Sequence, residues 1–399
     1  MKSLFLILSL SLSLFADEQI RWSEGEHLEL GDNGAKAACS ELGLSNSECP
    51  ALKNIPRNDE KVSFSYGELI MAVDYYQAPG NLSVDTKSGV KKIIKCAHKQ
   101  MFVHPEQEKN EDAEYASCTM TGVVAMPGYL EVVSKNYDHF GWHNMVAYVK
   151  YHELALKKAV MSYQRKKSNP SSSRYYLHQA LIYNAFADHY LSDAFASGHL
   201  RVPRTQIVNW AEKNLKGLFK GTRGDLLTMI LHDRESISLK TQKEVGVGVE
   251  NARGDMWTTR GDSHLHMKSY DGDPVRELPE SAIKESVKEV LTAYMTGEVP
   301  EGIYQASQYV PFYRGIPLAL KLSPEYQEMN QKDFIKAFYS GMPFYEKFIH
   351  RKADLEAMLN DLPMIYKDFQ KDVRKAVDQK PELRQRLPAS YLDAYINVH

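Results

Sequence analysis

The sequence predicts a mainly α protein. Apolar residues recur at three- and four-residue steps through residues 148–163 and again through 175–195, and alternating apolar–polar strand patterns are scarce. Further helical periodicity marks residues 205–219, 226–231 running into His232, 281–295, and several segments between 332 and 395. The run Ser171, Ser172, Ser173 supplies capping residues ahead of the second long helix. Residues 91–96 and 120–125 are the one candidate hairpin. The stretch GEVPEG at 297–302 places Pro and Gly between periodic segments and suggests a boundary, with a main domain over 17–299 and a helical C-terminal extension over 300–399.

Residues 1–16 read as a secretory signal. Lys2 provides the positive start, 3–15 an apolar stretch, and Ala16 a small residue suited to cleavage. The alternative, a retained anchor, would need a longer apolar run before charge resumes. A secreted or periplasmic destination without a transmembrane span follows. Export permits disulfides, and the four cysteines fall into two close pairs, Cys39 with Cys49 and Cys96 with Cys118. Three connectivities are possible, and the local one is expected because each bridge would staple a loop region. A thiolate metal site is disfavoured, since no CxxC spacing occurs.

With 43% hydrophobic and 25% charged residues over 399 positions, the composition is that of a globular protein with a sizeable core. A formal charge of −2 offers no general attraction for a polyanion, so nucleic acid is the less favoured partner.

The segment ADHYLSDAFASGHLRVPR sets His189, Asp193 and His199 in a row. Four residues advance about 40° past a full helical turn, so His189 and Asp193 project from one face and can grip one ion. Gly198 offers a helix break that lets His199 swing toward the same region. A lone interior histidine is ordinarily a satisfied core residue. Two histidines and an aspartate on an apolar helix are harder to bury, at about 1–3 kcal/mol per unpaired polar group. Other donors lie along the chain: His27; Asp74 after an apolar run, as a helix-end cap or an inward ligand; His139; and His232, with Asp233 and Glu235 following it. Nitrogen and oxygen donors without thiolates suit zinc or another borderline divalent ion.

These motifs resemble those of the zinc-dependent phospholipases C, whose fold is shared with the single-strand-specific zinc nucleases. The H-x3-D-x5-H spacing matches, HYLSD is similar to the family's HYLGD, IMAVDYYQAP looks like its aspartate followed by aromatics, and DHF looks like its His-Phe ligand segment. The order His27, Asp74, His139, His189, Asp193, His199, His232 agrees too, and the resemblance covers about residues 22–295.

It implies a helical domain holding up to three zinc ions. One ion would be held by Asp74, His139, His189 and Asp193; a second by His199 and His232 with a carboxylate; a third by Asp193, His27 and the region of Trp22. Asp74 and Asp193 would also compensate the charge of the centre during catalysis. Two positions depart from the pattern. Trp22 lies five residues beyond the expected cleavage point, and the carboxylate expected four residues after His232 is replaced by Ser236. Glu235 is the preferred substitute, ahead of Asp233 and Asp255.

The implied activity is metal-assisted hydrolysis of a phosphoric ester, with a phospholipid or other phosphodiester as substrate and contact with a membrane surface. No Ser-His-Asp arrangement with a nucleophile elbow is present. The alternatives are a single-strand-specific nuclease or phosphomonoesterase on the same site, and a non-catalytic metal-binding envelope protein. Outside the ligand set, Arg201 and Arg204 are read as surface residues able to meet a phosphate, His143 and His152 as structural, His264 and His266 as loop residues. GVGVENARGD lacks the strand-turn-helix setting of a phosphate cradle.

Overall fold

The computed structural model describes residues 24–56, 63–76, 78–83, 87–100, 132, 135–235, 245–261, 273–313 and 352–396. The signal segment, Trp22, Cys118, residues 120–125, Ser236, His264 and His266 lie outside them. The described helices are α1 Glu24–Glu41, α2 Tyr66–Ala72, α3 Lys87–Gln100, α4 His143–Arg165, α5 Pro170–Asp193, α6 Ser197–Leu200, α7 Arg204–Asn214, α8 Lys220–Arg234, α9 Pro274–Thr296, α10 Lys352–Gln379, α11 Pro381–Arg386 and α12 Ala389–Ile396. Two antiparallel hairpins complete the set, β1 Ile55–Pro56 with β2 Ser63–Phe64, and β3 Val247–Glu250 with β4 Met256–Thr259. The protein is mainly helical, as its periodicity predicts.

α4 and α5 are the two long periodic segments, joined by a tight turn and packed along each other. α5 begins before the apolar period at 175, with Ser171–Ser173 inside the helix and Asn169 as the cap: its side chain accepts from Ser172 N at 3.0 Å while Pro170 occupies the first turn. From Ala180 to Asp193 only Tyr183 on this helix is not buried, so its polar residues must find partners inside. α9 and α1 pack against this pair. α9 ends at Gly297, whose φ of 79° is the left-handed cap that stops the helix; a side chain there would also strike the Tyr163 ring.

α1 and α2 cross through glycine. A Cβ on Gly31 would press on the Cα of Gly67, and a Cβ on Gly67 would overlap the Leu28 carbonyl. Across this close approach Asp32 accepts from Gly67 N at 2.7 Å and from Ser65 Oγ at 3.1 Å. Ser65 and Glu68 add a reciprocal capping box at the start of α2. The crossing fixes the approach of the segments that carry His27 and Asp74.

Residues beyond 302 share the core of the preceding helices. Trp210 Nε1 on α7 donates to Asp361 on α10 at 2.8 Å, Arg223 on α8 reaches Asp354 at 2.8 Å, and Tyr395 on α12 donates to the Leu200 carbonyl at 2.7 Å. Cys39 and Cys49 are bonded with Cα atoms 5.9 Å apart, the expected local pair. Cys96 is also disulfide-bonded. No described helix is long and apolar enough to cross a membrane.

One local expectation changes. Residues 91–96 lie in α3 rather than a strand: Ile93 and Ala97, four apart, are buried while Lys92 and Lys95 are exposed, a helical rather than a two-residue rhythm. Within GVGVENARGD, Val247 and Val249 face inward on β3 and the Asn251 side chain closes the turn by accepting from Arg253 N and Asp255 N, both at 3.0 Å. The stretch builds a hairpin, not a phosphate cradle.

Gly67→Ala is expected to destabilise the fold by about 1–3 kcal/mol through overpacking at the α1–α2 crossing, read as a lower urea midpoint with an unchanged slope.

Candidate metal centre

Four elements deliver five donors to one place. The last turn of α5 supplies His189 and Asp193, one turn apart as their spacing requires. α2 tightens into a 3-10 turn over Val73–Tyr75 that directs Asp74 inward, toward His189. The 3-10 turn Tyr137–His139 brings His139, and α1 brings His27. All but the partly buried His27 are shielded from solvent.

His189 Nε2 stands 3.5 Å from Asp74 Oδ1, 3.4 Å from Asp193 Oδ2 and 3.1 Å from His139 Nδ1. His139 Nδ1 is 2.9 Å from Asp193 Oδ2, and His27 Nε2 is 3.5 Å from Asp193 Oδ1. Two overlapping groups result, His27–Asp74–His189 and His139–His189–Asp193, each able to place one ligand atom per residue around a shared point.

Hydrogen bonding fixes which nitrogens carry protons. His189 Nδ1 donates to the Ile70 carbonyl at 3.0 Å, leaving Nε2 as a lone pair in the neutral ring. Ser192 Oγ donates to the His189 carbonyl at 2.8 Å and therefore accepts from His27 Nδ1, also at 2.8 Å. The Nε2 atom that His27 turns toward Asp193 is then the unprotonated one. Asp193 Oδ2 is buried, with His139 Nδ1 as its near polar neighbour.

Lone pairs and carboxylates converge in a dry interior, an arrangement that fits a cation and is poor without one. Burial holds the His189 imidazole neutral, well below its ordinary range. Burial pushes Asp193 upward, but His189, His199 and His139 outweigh it and hold its carboxyl below the usual carboxylate range.

His199 follows on α6, after a turn pinned by Ser197 N to the Arg260 carbonyl at 2.9 Å and by Thr259 Oγ1 to the Phe195 carbonyl. Its Nδ1 donates to the His139 carbonyl at 2.7 Å, its ring stacks on Phe140 at 4.8 Å, and His232 meets it edge-on at 4.9 Å. Gly198 makes room, since a Cβ there would enter the His232 ring. Among the described residues no acid completes a three-donor group with this pair.

Glu235, expected beside His232 as a ligand, is engaged instead by Arg201, and both side chains are fully buried. The reason is electrostatic: Arg201 sits inside the protein under the Tyr313 ring, 4.2 Å from its centroid, and needs a counter-charge there. Arg204 is likewise buried rather than superficial, bound to Asp225 at 3.0 Å and to Asn136, and lies over the Phe140 and Tyr137 rings. Asp255 serves the β3–β4 turn through Asn251 at 2.9 Å.

The opposite face of α5 carries a second polar cluster that sequence reasoning did not assemble. Tyr66 donates to Asp188 at 2.7 Å, Asn184 bridges Tyr66, Asp188 and Ser286, and His152 joins Asn184 at 2.6 Å to Glu289 at 2.8 Å. His152 is therefore structural, as expected, and so is His143, which meets Asp372 at 3.2 Å. Burial raises Asp188 to about 7, against hydrogen bonds from Ser286 and Tyr66 that pull it down. Its spacing, Asn184 and Asp188 four apart on an apolar helix, was the available signal. Ser192 and the Ile70 carbonyl carried none.

Acid is expected to destabilise the chelator-treated protein. His189 is neutral when folded but binds a proton near pH 6.5 when unfolded, so its contribution fades as pH falls through that value. Asp193, depressed in the fold, contributes above its ordinary value of about 3.9 and loses that contribution as pH falls below it. The His189 effect falls between pH 7 and pH 5, so the urea midpoint should fall over that interval, with the Asp193 effect added only at lower pH; a flat profile contradicts the assignment. Glu235→Gln should cost about 3–5 kcal/mol by stranding Arg201, equally with and without chelator, whereas joint Arg201→Met and Glu235→Leu replacement should cost far less. Comparison of the chain with protein-family models, curated proteins and solved structures finds no match.

Proposed function

We propose that the chain is an exported zinc-dependent hydrolase of phosphoric esters, with phospholipids as its substrate class. The observation that carries this reading is the convergence of His139, His189 and Asp193, with His27 and Asp74, on one buried point. The donor set is nitrogen and oxygen only, which suits zinc. When bound, zinc polarises a phosphoryl oxygen and acidifies water.

The protein's own residues supply position and dryness. The Ile70 carbonyl keeps the proton on His189 Nδ1, so Nε2 faces the centre; Ser192 does the same for His27. Asp193 divides its carboxylate, Oδ1 toward His27 and Oδ2 toward His139 and His189, and so would serve two ions at once. Asp74 adds a second buried negative charge. His199 and His232 offer further nitrogen donors a short distance away. The resemblance of the ligand spacing to zinc-dependent phospholipases C supports the choice of ester. Tyr75, Tyr76 and Trp142 are buried and offer no face for bases to stack on, which favours a lipid over single-stranded nucleic acid. The Cys39–Cys49 bridge is compatible with export.

His189→Ala should abolish chelator-sensitive hydrolysis of phosphatidylcholine vesicles without preventing secretion. Parallel assays on single-stranded DNA separate the lipase from the nuclease. Undiminished turnover in the variant, or zinc-independent turnover in the parent, refutes the reading.

A further inference from the structure

The turn between α7 and α8 presents two large apolar side chains to solvent. Leu218 is 77% exposed and Phe219 56%, side by side, although the chain around them is firmly held. Arg223 donates to the Lys216 carbonyl at 2.7 Å and is itself tied to Asp354 at 2.8 Å; its backbone N–H meets the Phe219 carbonyl at 3.0 Å. Leu215 is buried at the near end of the turn. Gly217 has φ of 90° and Phe219 φ of 56°, the only left-handed residue other than glycine among those described. Side chains ordinarily avoid that region, so the turn keeps Phe219 pointing outward against both backbone preference and the hydrophobic effect. Around the pair stand Lys213 and Lys216, both exposed, and Lys220, which donates to the Glu212 carbonyl at 3.1 Å.

We propose that this turn is the bilayer-contact point of the protein: Leu218 and Phe219 enter the boundary between headgroups and acyl chains, while Lys213, Lys216 and Lys220 face anionic headgroups. The inference deepens the phospholipid reading and rests on it for the identity of the partner. The charge pattern selects the occupant. Three lysines against the single carboxylate of Glu212, close in the chain to an apolar tip, suit a negatively charged lipid surface, to which each near-surface cation adds about fivefold in affinity, and two inserted side chains supply the apolar share of binding. The rigidity of the turn means that little ordering is required on contact.

The test is cosedimentation of the full secreted chain, under chelation so that no lipid is consumed, with phosphatidylcholine vesicles containing or lacking phosphatidylglycerol. The parent should bind both and bind the anionic vesicles more tightly. Joint Leu218→Asp and Phe219→Asp replacement should lower partitioning by at least about tenfold, with unchanged melting temperature and unchanged hydrolysis of a monomeric short-chain lecithin. Equal binding by parent and double variant, no binding by the parent, or self-association of the parent that the double variant abolishes in place of vesicle binding each overturns the assignment. If the short-chain lecithin is not hydrolysed while vesicle binding still depends on the turn, the contact surface stands and the phospholipase reading falls; hydrolysis without turn-dependent binding gives the reverse.

Discussion

Buried imidazoles and carboxylates meet around His189 and Asp193, and the surrounding structure is arranged to hold them there. The lone pairs of His189 and His27, the His139 ring and two carboxylates face one another at 2.9–3.5 Å in a largely buried region. Burying such polar groups costs their hydration, so neighbouring elements must hold them in place. α1, α2 and the 3-10 turn at His139 do this from three directions. The glycine crossing of α1 and α2 brings two of them close enough to matter.

α5 is a partition between two polar regions. One face carries His189 and Asp193; the other carries Asn184 and Asp188, joined to Tyr66, His152, Ser286 and Glu289 from three other helices. Every member of that rear cluster has a partner inside the protein, which specifies how α2, α4 and α9 sit against α5. Ordered packing behind the donors restricts the rotation of α5, and with it the directions of His189 and Asp193.

Helix content and the positions of the major helices were legible because the apolar period is strong in 148–163 and 175–195. The pairing of His189 with Asp193 was legible through spacing and residue type, while the gathering of His27, Asp74 and His139 with them was implied by the family resemblance, and their distances by neither. Charge partners were less accessible. Glu235 looks like a ligand in one dimension because it follows His232; in three dimensions a buried guanidinium arrives from 34 residues earlier and takes it. The β-branched run in 91–96 imitates a strand locally, and only the burial of Ile93 with Ala97 distinguishes it from one. Long-range pairings decide such cases, and a linear pattern does not carry them.

The hydrogen bond from Tyr395 to the carbonyl of Leu200 has a temporal meaning. Leu200 adjoins His199, whose ring is held by His139, while His27 enters from the opposite end of the chain. Contacts of such wide sequence separation form late, since the loops between them must close first. It follows that the centre takes its finished form only after the segment carrying Tyr395 has been made and packed against Leu200.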